Sequence, residues 1–125
     1  MSDFRILVID DEASIRDGFK RFFSSKFPQV TVLTAEDGNV GLQMVQMDKP
    51  DLILLDISML VMTGFEVLDQ MFFIKLTIPV IVMTAFGSET NQIMVRVSSR
   101  NENIQILRKP VDLDELKALI AQHVM

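Results

Sequence analysis

Polar side chains standing at the ends of short apolar runs carry the chemistry available to this sequence. Ile6-Leu7-Val8-Ile9 ends in Asp10-Asp11, and Leu52-Ile53-Leu54-Leu55 ends in Asp56. Pro79-Val80-Ile81-Val82-Met83 ends in Thr84, and Gln105-Ile106-Leu107-Arg108 ends in Lys109-Pro110. If these ends converge, three carboxylates, a hydroxyl and an ammonium share one rim. Crowded carboxylates repel and raise one another's pKa unless a cation compensates. A hard divalent ion with oxygen ligands does so, and Mg2+ takes one or two carboxylates while keeping waters and phosphate oxygens. An aspartate can also attack phosphorus and form an aspartyl-phosphate. That transfer needs positioning and charge neutralisation, which a cation, Lys109 and Thr84 could supply.

Such convergence requires a particular set of elements. Short Val/Ile/Leu runs read as strands buried on both faces, as in a parallel sheet. Ala13 to Ser24 is amphipathic, with Ile15, Phe19, Phe22 and Phe23 on one stripe. Phe27-Pro28 ends that helix. Val30 to Ala35 is a β-branched strand, Asp37-Gly38 a turn, and a helix carrying Val40, Leu42, Met44, Val45 and Met47 stops before Pro50. The strand to Asp56 leads through a loop to Gly64 and a helix from about Phe65 to Lys75. Pro79 opens the fourth strand, Ser88 to about Ser98 reads as the fourth helix, and Asp112 with Glu115 three residues on resembles a capping box for the last helix.

Five strands alternating with five helices predict an α/β fold: a doubly wound, five-stranded parallel sheet covered by helices on both faces. Right-handed crossovers leave few topologies, and the order 2-1-3-4-5 is common at this size. In that order strands 1, 3, 4 and 5 bear the polar ends, and ligands bind beyond the carboxyl ends of the strands. Asp10, Asp11 and Asp56 then meet where the strand order reverses.

Composition sets the remaining bounds. With 125 residues, 49% apolar and 23% charged, the chain reads as one globular domain over 1–125. A net charge of -5 disfavours binding to nucleic acid or an anionic membrane. The absence of cysteine removes disulfides, thiol catalysis and thiolate metal sites. No signal peptide and no membrane-length apolar run are seen, so a cytoplasmic setting is expected.

Leu7-Val8-Ile9-Asp10-Asp11-Glu12, Pro50-Asp51-Leu52-Ile53-Leu54-Leu55-Asp56, Val82-Met83-Thr84-Ala85 and Lys109-Pro110 follow one another as in the receiver domain of two-component response regulators. Thr34-Ala35-Glu36-Asp37-Gly38 and Gly64, eight residues after Asp56, also match, and the resemblance covers essentially the whole chain. It implies a flavodoxin-like receiver fold and a role as a phosphorylation-controlled switch, not a metabolic enzyme. Asp56 would accept a phosphoryl group from a histidine kinase or histidine phosphotransfer protein. Asp11 would ligate Mg2+ with the backbone carbonyl of Ser58 and with Asp56, while Asp10 would act mostly through water. Lys109 would pair with the phosphoryl group, and Thr84 would hydrogen-bond it and couple it to the following loop. The Lys109–Pro110 peptide would be cis. The partners implied are that donor, an output domain or target protein, and a second copy on phosphorylation.

The chain departs from the family pattern in places. Leu60 stands where proline is usual, which implies a less rigid loop over Ile57 to Thr63. Ile106 replaces the usual aromatic, so the threonine–aromatic rotamer switch cannot operate in its common form. Arg100-Asn101-Glu102-Asn103 replaces a small Gly-Ala turn, in a Thr84-to-Lys109 stretch longer than usual. A docking module with altered switching is therefore an alternative. A haloacid-dehalogenase-type phosphohydrolase would want a second aspartate where Ser58 stands. A flavodoxin-like electron carrier would want a phosphate loop after strand 1 and an aromatic to stack on flavin. Taken singly, the site residues have plainer readings: Asp10, Asp11 or Thr84 as helix caps and Lys109 as a solvated loop residue. His123 reads as structural, favouring the dipole of the last helix. The nine Met and the Phe cluster read as core filling.

Overall fold

The computed structural model describes residues 4–59, 62–74, 77–84 and 103–124. Its elements in chain order are β1 (Phe4–Ile9), α1 (Ala13–Lys26), β2 (Val30–Ala35), α2 (Gly38–Asp48), β3 (Leu52–Asp56), α3 (Gly64–Phe73), β4 (Val80–Thr84), β5 (Ile104–Arg108) and α4 (Leu113–Val124). The strands form one sheet in the order β2-β1-β3-β4-β5, with every pair parallel, as the sequence predicts. The helix expected over 88–98 lies outside the described residues, as do Leu60 and 100–102. No helix among the described residues is long and apolar enough to cross a membrane.

Burial follows position in the sheet. Central β3 and β4 are buried along their whole length and β1 over its last four residues, whereas edge strands β2 and β5 are only partly covered. Period-two alternation sends Leu7, Ile9, Ile53, Leu55, Val80 and Val82 to the side packed by α2 and α3. Ile6, Val8, Leu52, Leu54, Ile81 and Met83 go to the side packed by α1 and α4.

α1 buries Phe19, Phe22 and Phe23, and the Phe22 and Phe23 rings meet edge-on at 5.2 Å. Burying each ring contributes about 2 kcal/mol. The fourth member of the expected stripe, Ile15, is 40% exposed. The helix runs two residues beyond Ser24, because Ser25 and Lys26 do not interrupt it and Phe27 N–H still reaches Phe23 O at 2.8 Å.

Asp37-Gly38, expected as a turn, is the start of α2. Asp37 is the N-cap, its Oδ1 accepting from Val40 N–H at 2.9 Å. α3 begins at Gly64 and ends at Phe73, earlier than Lys75. Thr63 and Glu66 form a reciprocal capping box there, a pattern written in the sequence as Thr-x-x-Glu but passed over. Asp112 caps α4 as expected, Oδ1 accepting from Asp114 and Glu115 N–H at 2.8 and 3.2 Å. Not all Met and Phe fill the core: Met47 and Phe73 are 82% and 80% exposed.

Candidate functional site

Parallel register brings the first carboxylates together. β1 and β3 pair with Ile9 opposite Leu55, so the next residues, Asp10 and Asp56, stand level at the carboxyl end of the sheet. Carboxylate oxygens of Asp10, Asp11 and Asp56 all lie within 4.8 Å of one another. Asp10 and Asp56 are 1% and 2% exposed, and Asp11 is half-buried.

Neither Asp10 nor Asp11 is a helix cap. The N-cap of α1 is Glu12, which makes no side-chain capping bond. Asp10 is held instead by its surroundings: its N–H donates to Ala35 O at 3.2 Å, its Oδ1 accepts from Glu12 N–H at 2.9 Å, and its carbonyl accepts from Arg16 Nη1 at 2.7 Å. Burial pushes the Asp10 carboxyl up to about 6, with the Asp56 and Asp11 charges adding to it and the Glu12 N–H and Lys109 opposing.

β5 delivers the cation. Lys109 N–H donates to Thr84 O at 2.8 Å, extending the β4–β5 ladder one step past Thr84↔Arg108. From there Nζ reaches Asp56 Oδ1 at 2.8 Å. Burial alone would lower the lysine's pKa. The hydrogen bond to Asp56 and the charges of Asp56, Asp10 and Glu12 outweigh it and hold the ammonium above its ordinary 10.5. The Lys109–Pro110 peptide is cis. Thr84 ends β4 fully buried, and the helix it was weighed as capping lies outside the described residues.

The loop after Asp56 is pinned along its described part. Ser58, exposed, donates its N–H to Asp56 Oδ1 at 3.1 Å. Ile57 and Met59 are buried, and Ile57 O accepts from Gly64 N–H at 3.0 Å. A side chain on Gly64 would come within 2.6 Å of Ile57 Cα, which explains glycine eight residues after Asp56. Beside the cluster a groove of about 430 Å³ runs between α1 and the β5–α4 connection, its walls including Ile15, Phe19, Pro110 and Leu113.

The donor set suits Mg2+: carboxylate oxygens gathered from β1 and β3, with a buried member that burial already disfavours as a lone anion. Sequence reasoning missed Arg16, because a long side chain reaching a backbone carbonyl leaves no periodic mark. Asp51 was likewise missed; its Oδ2 accepts from Arg5 N–H at 2.8 Å and holds the start of β3 to β1. His123 lies apart, 2.7 Å from Gln105 Oε1, and burial lowers its pKa. Through Gln105 it ties the last turn of α4 to β5.

Residues 6–121 match the family model described as the response regulator receiver domain. The chain is 32% identical over 124 residues to sporulation initiation phosphotransferase F of Bacillus subtilis, covering 99% of this chain and 96% of that one. It is 34% identical over 114 residues to response regulator MprA of Mycobacterium ulcerans, covering 91% of this chain and 47% of that one, so it spans about half of MprA. Among solved structures, the signal receiver domain of a LuxO repressor protein of Vibrio parahaemolyticus superposes with a TM-score of 0.83 at 28% identity, covering 98% of this chain and 91% of that one.

Proposed function

Because the chain belongs to the response regulator receiver domain family of two-component systems, we propose that Asp56 accepts a phosphoryl group in a Mg2+-dependent reaction. The donor is a histidine kinase or histidine phosphotransfer protein. The observation that carries this reading is the Lys109 ammonium on Asp56 Oδ1 at 2.8 Å, beside two further carboxylates.

In this reading a carboxylate oxygen of Asp56 attacks phosphorus, the phosphorus–nitrogen bond of the donor phosphohistidine breaks, and the imidazole leaves with the electron pair. Lys109, kept charged by its surroundings, neutralises one phosphoryl oxygen. The Thr84 hydroxyl bonds another and ties it to the end of β4. Asp11 and Asp56, with the Ser58 carbonyl and Asp10 through water, would hold Mg2+, which when bound offsets the negative charge gathering on the phosphoryl oxygens. Ser58 N–H and Lys109 orient the Asp56 carboxylate. The groove between α1 and the β5–α4 connection opens beside Lys109, and its exposed Ile15 and Leu113 give the donor protein an apolar seat.

Residues 1–125 act together as one receiver unit that signals by changing its partner-binding surface, not by turning over a metabolite. Altered switching is the second reading, favoured by one observation: Ile106, which stands in the place of the usual aromatic, is half-buried against the core side of α2 and α3.

Incubation with Mg2+ and acetyl phosphate, followed by intact mass, tests the proposal. One phosphate adduct is expected, lost in EDTA and in Asp56→Asn. A folded protein that neither binds Mg2+ nor gains the adduct would sink it.

A further inference from the structure

Arg16 lies on the first turn of α1 and bonds twice across the turn that carries the acidic pair. Its backbone N–H donates to Glu12 O at 3.1 Å, opening the helix. Its guanidinium Nη1 donates to the Asp10 carbonyl at 2.7 Å, with the contact half-buried. Between these anchors stand Asp11 and Glu12, and the helix start has no side-chain cap of its own to stiffen it. Charged donors make shorter and stronger hydrogen bonds than neutral ones. The recorded contact falls on the backbone of Asp10, so its effect is on the direction of the Asp10–Asp11 peptide.

We propose that Arg16 is a positioning residue for cation binding: by tying the Asp10 carbonyl to α1 it sets the path of the β1–α1 turn and hence the aim of the Asp11 carboxylate toward Asp56. The proposal rests on the reading of the site given above. Groups that orient metal ligands from behind typically change metal affinity by about 10- to 100-fold when removed. Arg16→Met keeps much of the stem and loses the donor. Arg16→Lys keeps the charge and a single donor but not the fork.

The test is Mg2+ titration by calorimetry, paired with amide exchange at Glu12, whose N–H donates to Asp10 Oδ1 at 2.9 Å. In Arg16→Met the half-saturating Mg2+ concentration should rise about tenfold. Glu12 exchange should accelerate while amides of the central strands keep their protection, and Arg16→Lys should recover part of both losses. Unchanged Mg2+ affinity in Arg16→Met overturns the proposal, as does a loss of protection spread evenly over the sheet, which would mark a merely structural role. If the parent protein itself binds no Mg2+, the proposed function fails along with the role toward the cation. Unchanged Glu12 exchange in Arg16→Met would then remove the tether as well.

Discussion

Asp10 is a buried carboxyl that works against the fold. It titrates near 6 when folded, against 3.8 for a free carboxyl, so the folded chain binds this proton more tightly than the unfolded one. The sign follows: without a divalent ion its contribution is neutral below about pH 4, grows unfavourable between about pH 4 and 6, and levels off above that at about 3 kcal/mol. Asp10→Asn should therefore raise the melting temperature in EDTA at pH 7.5, and the gain should shrink at pH 5. Equal melting temperatures at pH 7.5 would contradict burial as the dominant cause. Mg2+ competes with that proton, so calorimetric Mg2+ affinity should fall as pH drops through 6. Lys109 is the complementary case. Lys109→Ala strands the buried Asp56 charge beside two other carboxylates. The lysine side chain is about one-third exposed, so the expected loss in urea unfolding is about 1–2 kcal/mol rather than that of a fully buried pair. These residues were legible because each ends an apolar run. Arg16, which ends nothing, was not.

At the scale of elements, two close approaches decide where the site's strands and loops sit. A Cβ on Gly64 would meet backbone, Ile57 Cα at 2.6 Å and Asp56 O at 2.8 Å, and backbone here has nowhere to go. Gly64→Ala should lose about 2–3 kcal/mol in denaturant unfolding, from overpacking, and weaken Mg2+ binding with it. Gly41 faces a side chain instead: its Cβ would meet Ile9 Cδ1 at 2.6 Å. Gly41→Ala should cost about 1–3 kcal/mol and Ile9→Val about 1. Combined, they should cost less than their sum, since valine lacks the colliding methyl, and a double-mutant cycle reads the coupling directly. Element type and order could be read from sequence because buried strands and amphipathic helices have periods. Their ends were less secure, as at Lys26 and Gly38, because capping depends on single hydrogen bonds. The described start of the loop after Asp56 shows the same limit: Ile57 and Met59 anchor it through burial that no local pattern announces.

For the whole molecule, a cation held only by the folded state stabilises it by mass action. Mg2+ at 100 times its dissociation constant should add about 2.7 kcal/mol, seen as a concentration-dependent rise in melting temperature that Asp56→Asn largely removes. Sequence yielded the sheet order and the rim because strand ends and crossover rules are topological. Met47, expected in the core, is exposed, because hydrophobicity says nothing of which way a helix end faces. The rim has one more consequence. Its carboxylates come from β1 and β3, which pair in parallel although β2 lies between them in the chain. Such non-local pairing is slow to form, so a refolding chain would recover its hold on the ion only when β3 has docked beside β1. Ion affinity would then serve as a clock for that one pairing.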